Sequence, residues 1–287
     1  MFNFLKKILS FLIIFILISV SIFFISKRVE MNINNNILGE NSLAIIGNSH
    51  PQTSINDSLL SQLTPFNVKN HSRSGQSMFW SIIGGKKLKF QGTKYFIIEI
   101  TNSTYTTEWK TTDEQRGFRE RDKRFFLEPS DWKHLFHKKP VFATKIFNTL
   151  HLPRTKLKGG FKKRKLVFTK NIVAENKIKS KENSFIPDFN DEIIHQFIKK
   201  NDSLFFIVLR VPQHPGYYTK ENKENEKYYL KKISAFKNYK NCSVMDFGHK
   251  YKADSLFADF GHMNYNGSTV FSTFLADTIS KIPKLFK

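Results

Sequence analysis

Three short apolar runs constrain this chain more than any other feature. Residues 42–46, 95–100 and 204–209 are almost free of polar side chains, and none is longer than six residues. A helix buried in a core runs longer, and a strand wetted on one face alternates apolar with polar. Continuous apolar strands are buried on both faces, which is the habit of a parallel sheet covered by helices. Between and after them lie helical patterns at 56–63, 77–88, 188–200, 222–236 and 268–282, with further strands at 65–70 and 243–246. Strand and helix alternate, so the expected fold is α/β, a three-layer sandwich with a mostly parallel sheet. The pattern lapses over about 105–185, which is expected to be an insertion flanking the core.

The first thirty residues stand outside that core. Residues 8–25 carry no charge, and only Ser10, Ser19 and Ser21 are polar. As a helix they would reach about 27 Å, close to the ~30 Å hydrocarbon core of a bilayer. Lys6 and Lys7 before them, and Lys27 and Arg28 after them, can extend to the two interfaces. The segment ends in Ile25-Ser26-Lys27-Arg28 without a small-residue cleavage site, so an uncleaved transmembrane helix over 1–29 is expected rather than a signal peptide. Residues 30–41 are polar and Asn-rich and are expected to be a tether, with the α/β domain occupying 42–287. The domain is expected on the extracytoplasmic side. Basic residues flank the span almost equally, but a seven-residue stub is easily retained inside and a long downstream domain crosses regardless of its charge.

The net charge is +22, from 46 Lys and Arg against 24 Asp and Glu. That excess resembles a nucleic-acid footprint, but it is uneven. Residues 151–183 hold eleven basic residues against Glu175 and Glu182. Such a run suits a solvated face, or contact with an anionic membrane or polymer, better than nucleic acid in a membrane-anchored chain. A single cysteine, Cys242, excludes an intramolecular disulfide.

In an open α/β sheet the chemistry sits at the carboxyl ends of the strands. The first strand ends in Gly47-Asn48-Ser49-His50, and some 210 residues later comes Asp259-Phe260-Gly261-His262-Met263-Asn264. Ser49 as nucleophile, His262 as base and Asp259 as the acid orienting it make a complete serine hydrolase or acyltransferase set. An oxyanion hole can be drawn from the same strand ends, using the Ser49 N–H, the Gly75 N–H and the Asn102 side-chain amide. His50 is adjacent to Ser49 and is not expected to face it. Asp246 and Asp254 are rival acids with longer spacing to His262. His134 and His137 lack partners for a metal site, so neither metal nor cofactor is expected.

These blocks resemble the SGNH (GDSL-like) hydrolase superfamily, named for a serine, a glycine, an asparagine and a histidine in four segments. Ser49 resembles the first, Gly75 the second, Asn102 the third, and Asp259-x-x-His262 the last. Two positions depart from the pattern: Asn48 stands where Asp is common, and Ile100-Thr101-Asn102-Ser103 replaces Gly-x-Asn-Asp. With its N-terminal anchor the chain is similar to the branch that handles acyl groups on envelope polymers, such as teichoic-acid D-alanyl transfer and alginate acetylation proteins. The resemblance implies a flavodoxin-like fold and a membrane-anchored serine esterase or O-acyltransferase. It also implies an envelope polysaccharide or acyl donor as substrate, and a membrane-bound O-acyltransferase as partner. A non-catalytic, envelope-bound polymer-binding protein on the same fold is the alternative.

Overall fold

The computed structural model describes residues 2–33, 39, 41–101, 104, 128, 131, 160–165, 189–218 and 223–282. The chain divides into two units, Met1–Ile37 and Leu38–Lys287.

The first unit is one helix, α1 (Phe2–Ile33). It runs past the expected span into residues assigned to the tether, and no Gly or Pro interrupts it before Gly39. Its described apolar side chains stand exposed, Phe11, Leu9 and Phe15 among them. Among the described residues, however, no helix is long and apolar enough to cross a membrane.

The second unit is built on five parallel strands: β1 (Ser42–Ile46), β2 (Asn67–Asn70), β3 (Tyr95–Glu99), β4 (Phe205–Arg210) and β5 (Cys242–Asp246), in the order β2-β1-β3-β4-β5. That order is the one found in flavodoxin-like doubly wound sheets. β1 and β4 are buried at every position, whereas the edge strand β2 alternates exposed and buried. The burial follows the sequence pattern, since only the inner strands are covered on both faces.

Among the described residues the unit also has helices α2 (Ser49–Ser54), α3 (Asp57–Leu63), α4 (Met78–Phe90), α5 (Phe189–Lys199), α6 (Lys223–Ala235) and α7 (Tyr265–Ser280). One apolar layer joins Ile46, Phe96, Ile98 and Phe206 to α4, α5 and α6. The other joins Ile45, Val68, Ile97 and Ile207 to α3 and α7. Successive residues of β3 thus feed opposite layers, as the two-residue period of a strand requires. The result is a three-layer α/β sandwich.

Several helix starts carry their own signals. Asn56 accepts from the Leu59 N–H before α3, Ser77 from the Trp80 N–H before α4, and Asn264 from the Gly267 N–H before α7. Each cap contributes about 1 kcal/mol. The pair Asn266-Gly267, which suits a turn in sequence, instead lies inside the first turn of α7. A Cβ at Gly267 would sit 2.0 Å from the Leu256 carbonyl oxygen, so only glycine lets α7 begin this close to the preceding loop.

Candidate functional site

Ser49 is the first residue of α2, immediately after β1. Asn48 caps this short helix, accepting from the His50 N–H at 2.8 Å, and Pro51 falls within its first turn, where proline is tolerated. The sequence suggests a turn here, but Asn48 and Pro51 are helix-start signals. Because Ser49 opens the helix, its N–H has no acceptor within the helix. β1 lies between β2 and β3 in the sheet, so Ser49 emerges where the strand order reverses, the usual place for a site in this topology.

His262 and Asp259 come from the loop between β5 and α7. The loop is folded on itself by the Ala258 N–H donating to the His262 carbonyl at 2.9 Å and by a bridge between Phe257 and Met263. His262 Nε2 lies 2.7 Å from Ser49 Oγ, and His262 Nδ1 lies 2.7 Å from Asp259 Oδ1. An ionised carboxylate only accepts, so Nδ1 carries the proton and Nε2 offers its lone pair to the serine hydroxyl. The structure therefore brings Ser49, His262 and Asp259 into one hydrogen-bonded chain in the order a serine nucleophile requires.

Asp259 is well supplied with donors. Oδ1 also accepts from the Gly261 N–H at 2.9 Å, and Oδ2 accepts from Arg164 Nη1 at 2.8 Å. Burial alone would raise its pKa. The His262 hydrogen bond and charge, then Arg164 and the Gly261 N–H, outweigh that and hold it at about 2.

The rival acids are engaged elsewhere. Asp246 makes a two-point contact with Arg210 at 2.6 and 2.9 Å, and Asp254 lies 2.8 Å from His214 Nε2. Gly75 takes φ +70 at the third position of a turn closed by the Gln76 N–H donating to the Arg73 carbonyl at 3.1 Å. A positive φ at that position favours glycine. The turn is docked on α2, because Gln52 Oε1 accepts from both the N–H and the hydroxyl of Ser74, at 2.9 and 2.7 Å. Asn102 lies outside the described residues, as do His134 and His137. Its neighbour Thr101 is buried, with Oγ1 3.4 Å from His50 Nδ1. Among the described residues no group of three His, Cys, Asp or Glu could hold a metal ion.

Three residues near the site play parts that the sequence conceals. His50 does not bond Ser49. Its ring stacks on His262, with centroids 5.1 Å apart and planes 26° from parallel. Burial, reinforced by the charge of His262, pushes its pKa down to about 3. Behind it Glu99 is fully buried, neither carboxyl oxygen has a hydrogen-bond partner among the described residues, and burial raises its pKa well above the ordinary range. Glu99 Oε1 and His50 Nδ1 are 3.9 Å apart, within ion-pair distance. Burial penalises charge on both, and we assign both as neutral. A glutamate inside the apolar run Ile98-Glu99-Ile100 was a visible signal for such a group. The third residue, Arg164, lies within a basic run that gave no sign of which cation would matter.

No protein-family profile matches the chain, and no curated protein matches it either.

Proposed function

We propose that this chain is a serine esterase or O-acyltransferase of SGNH type, acting on acyl groups of an envelope polysaccharide. The observation that carries the reading is the Ser49–His262–Asp259 chain, with both links at 2.7 Å. In the reaction Ser49 Oγ bonds to the acyl carbonyl carbon while its proton passes to His262 Nε2. Collapse of the tetrahedral intermediate breaks the bond to the leaving oxygen, which takes that proton and departs as an alcohol. Water or a sugar hydroxyl then gives a proton to His262 and bonds to the acyl carbon, the Ser49 Oγ–acyl bond breaks, and His262 returns the proton to Ser49 Oγ. Asp259 keeps the imidazole in the tautomer that can accept from serine and steadies its positive charge. The Ser49 N–H, the Gly75 N–H and the Asn102 amide are the assigned oxyanion donors.

The SGNH assignment rests on the four sequence blocks and is supported by the 2-1-3-4-5 parallel sheet with Ser49 just beyond β1. The envelope setting rests on α1. An unbroken helix from Phe2 to Ile33 with exposed apolar side chains suits a membrane anchor that leaves the α/β domain outside, working beside a membrane-bound O-acyltransferase. Nucleic acid is not part of this reading.

Mass spectrometry of the intact protein after mixing with p-nitrophenyl acetate tests the chemistry. A transient acetyl adduct mapping to Ser49 is expected, and an adduct confined to lysines contradicts the reading. Alkaline carbonate extraction tests the anchor. The full chain should stay with the membranes and a chain lacking residues 1–37 should not, whereas release of the full chain rules out a spanning helix.

A further inference from the structure

We propose that Arg164, supplied by the basic insertion, is a positioning residue of the Ser49–His262–Asp259 site, fixing the Asp259 carboxylate against His262. The inference rests on the serine-nucleophile reading and adds to it a residue that none of the four sequence blocks contains.

Asp259 and His262 sit on a loop, not on a helix or strand, so their alignment depends on what holds the carboxylate. Oδ1 is held from inside the loop, by His262 and the Gly261 N–H. Among the described residues Oδ2 has one donor, Arg164 Nη1. The Asp259 side chain is 23% exposed. Without Arg164, water would take Oδ2 and the carboxylate could rotate away from His262.

Arg164 is itself held by its backbone. Two residues before it, the Lys162 N–H donates to the Gln52 carbonyl at 2.8 Å, in the helix that begins with Ser49. The Arg164 carbonyl accepts from the Tyr265 N–H at 2.8 Å, at the start of α7 and three residues after His262. Lys163 lies over the Tyr265 ring, 3.7 Å from its centroid. Residues 162–165 thus cross between α2, which begins with Ser49, and the start of α7, just after the loop that carries Asp259 and His262, with Arg164 directed at Asp259. The neighbouring lysines 162, 163 and 165 are exposed. A guanidinium suits this post better than an ammonium, because the direction of its Nη1 donor is fixed by a planar group, whereas an ammonium rotates on a flexible stem.

The test uses the full chain with p-nitrophenyl acetate and a fluorophosphonate probe. Arg164→Ala should lower kcat by about 10²-fold, the scale of a small misplacement of a reacting group, with KM little changed. Guanidinium ion added at sub-denaturing concentration should restore several-fold of the rate to Arg164→Ala and leave wild type unaffected. Arg164→Lys should fall between the two. It carries the test alone if Arg164→Ala does not fold, and a wild-type kcat in Arg164→Lys would then overturn the proposal. So would a kcat for Arg164→Ala within about threefold of wild type, or a loss that neither lysine nor guanidinium restores in a variant melting like wild type. A wild type that neither turns over substrate nor reacts with the probe sinks the serine reading and this inference with it. An active wild type with an indifferent Arg164→Ala sinks the inference alone.

Discussion

His50 should make the protein acid-sensitive in a way that one substitution removes. The ring is 6% exposed and stacked on His262, and its pKa is pushed down to about 3 by burial, then by the charges of His262 and Arg164, with Asp259 opposing. In the unfolded chain the same ring titrates near 6.5. A folded value below the unfolded one means that the contribution is whole above about pH 6.5 and is lost as pH falls toward 3. At pH 4.5 the unfolded chain has taken up a proton that the folded protein refuses, which costs about 2–3 kcal/mol at ~1.4 kcal/mol per pH unit. His50→Phe keeps a ring against His262 and removes the titration. Urea unfolding at pH 7.5 and pH 4.5 checks it: between these two values wild type should lose about 2–3 kcal/mol more stability than His50→Phe. Titrating groups remote from His50 are common to both proteins and cancel in the difference, as does any pH-independent cost of fitting the larger ring. Equal losses would mean that His50 takes up its proton in the native protein as readily as in the unfolded chain, and a smaller loss in wild type would mean that it is charged and paired with an ionised Glu99; either result contradicts a neutral buried His50.

Ser49→Ala and His262→Ala should each abolish acyl transfer, and the double variant should be no slower than either, because the two act as one unit; Asp259→Asn should cost less. Asn102→Ala should lower kcat by about 10²–10³-fold with little change in KM, the cost of one oxyanion donor, and an effect below about threefold would remove Asn102 from that role. Gly267→Ala should lower stability by about 1–3 kcal/mol in thermal unfolding, since its Cβ meets the Leu256 carbonyl, and an unchanged melt would contradict the close approach.

The fold was legible where burial and periodicity agree. The runs at 42–46, 95–100 and 204–209 became β1, β3 and β4 with shifts of a residue or less, because strands covered on both faces carry apolar residues at every position. The edge strand β2 proved shorter than its sequence pattern, starting at Asn67 rather than Pro65. Helix α2 escaped notice because six residues with Ser, His, Gln and Thr carry no apolar period, and only the cap and Pro51 mark them. Ser49, His262 and Asp259 could be singled out because their types and order are uncommon in combination. Arg164 could not, because one cation among eleven in a basic stretch has no pattern to distinguish it. His50 does not bond Ser49, in line with the expectation, but its stack on His262 was not legible because it depends on where the loop between β5 and α7 returns. Glu99 was readable in principle as a carboxylate in an apolar strand, but its lack of a hydrogen-bond partner among the described residues is a property of the packed core.

If Ser49 is a nucleophile activated by His262, a fluorophosphonate probe should label it. The probe reacts with activated serines whatever the natural substrate, so neither polymer nor acyl group need be known. One adduct per chain, located on Ser49, is expected in wild type, with none in Ser49→Ala and almost none in His262→Ala. A wild type that stays unlabelled, or equal labelling after Ser49→Ala, would show that Ser49 is not an activated nucleophile.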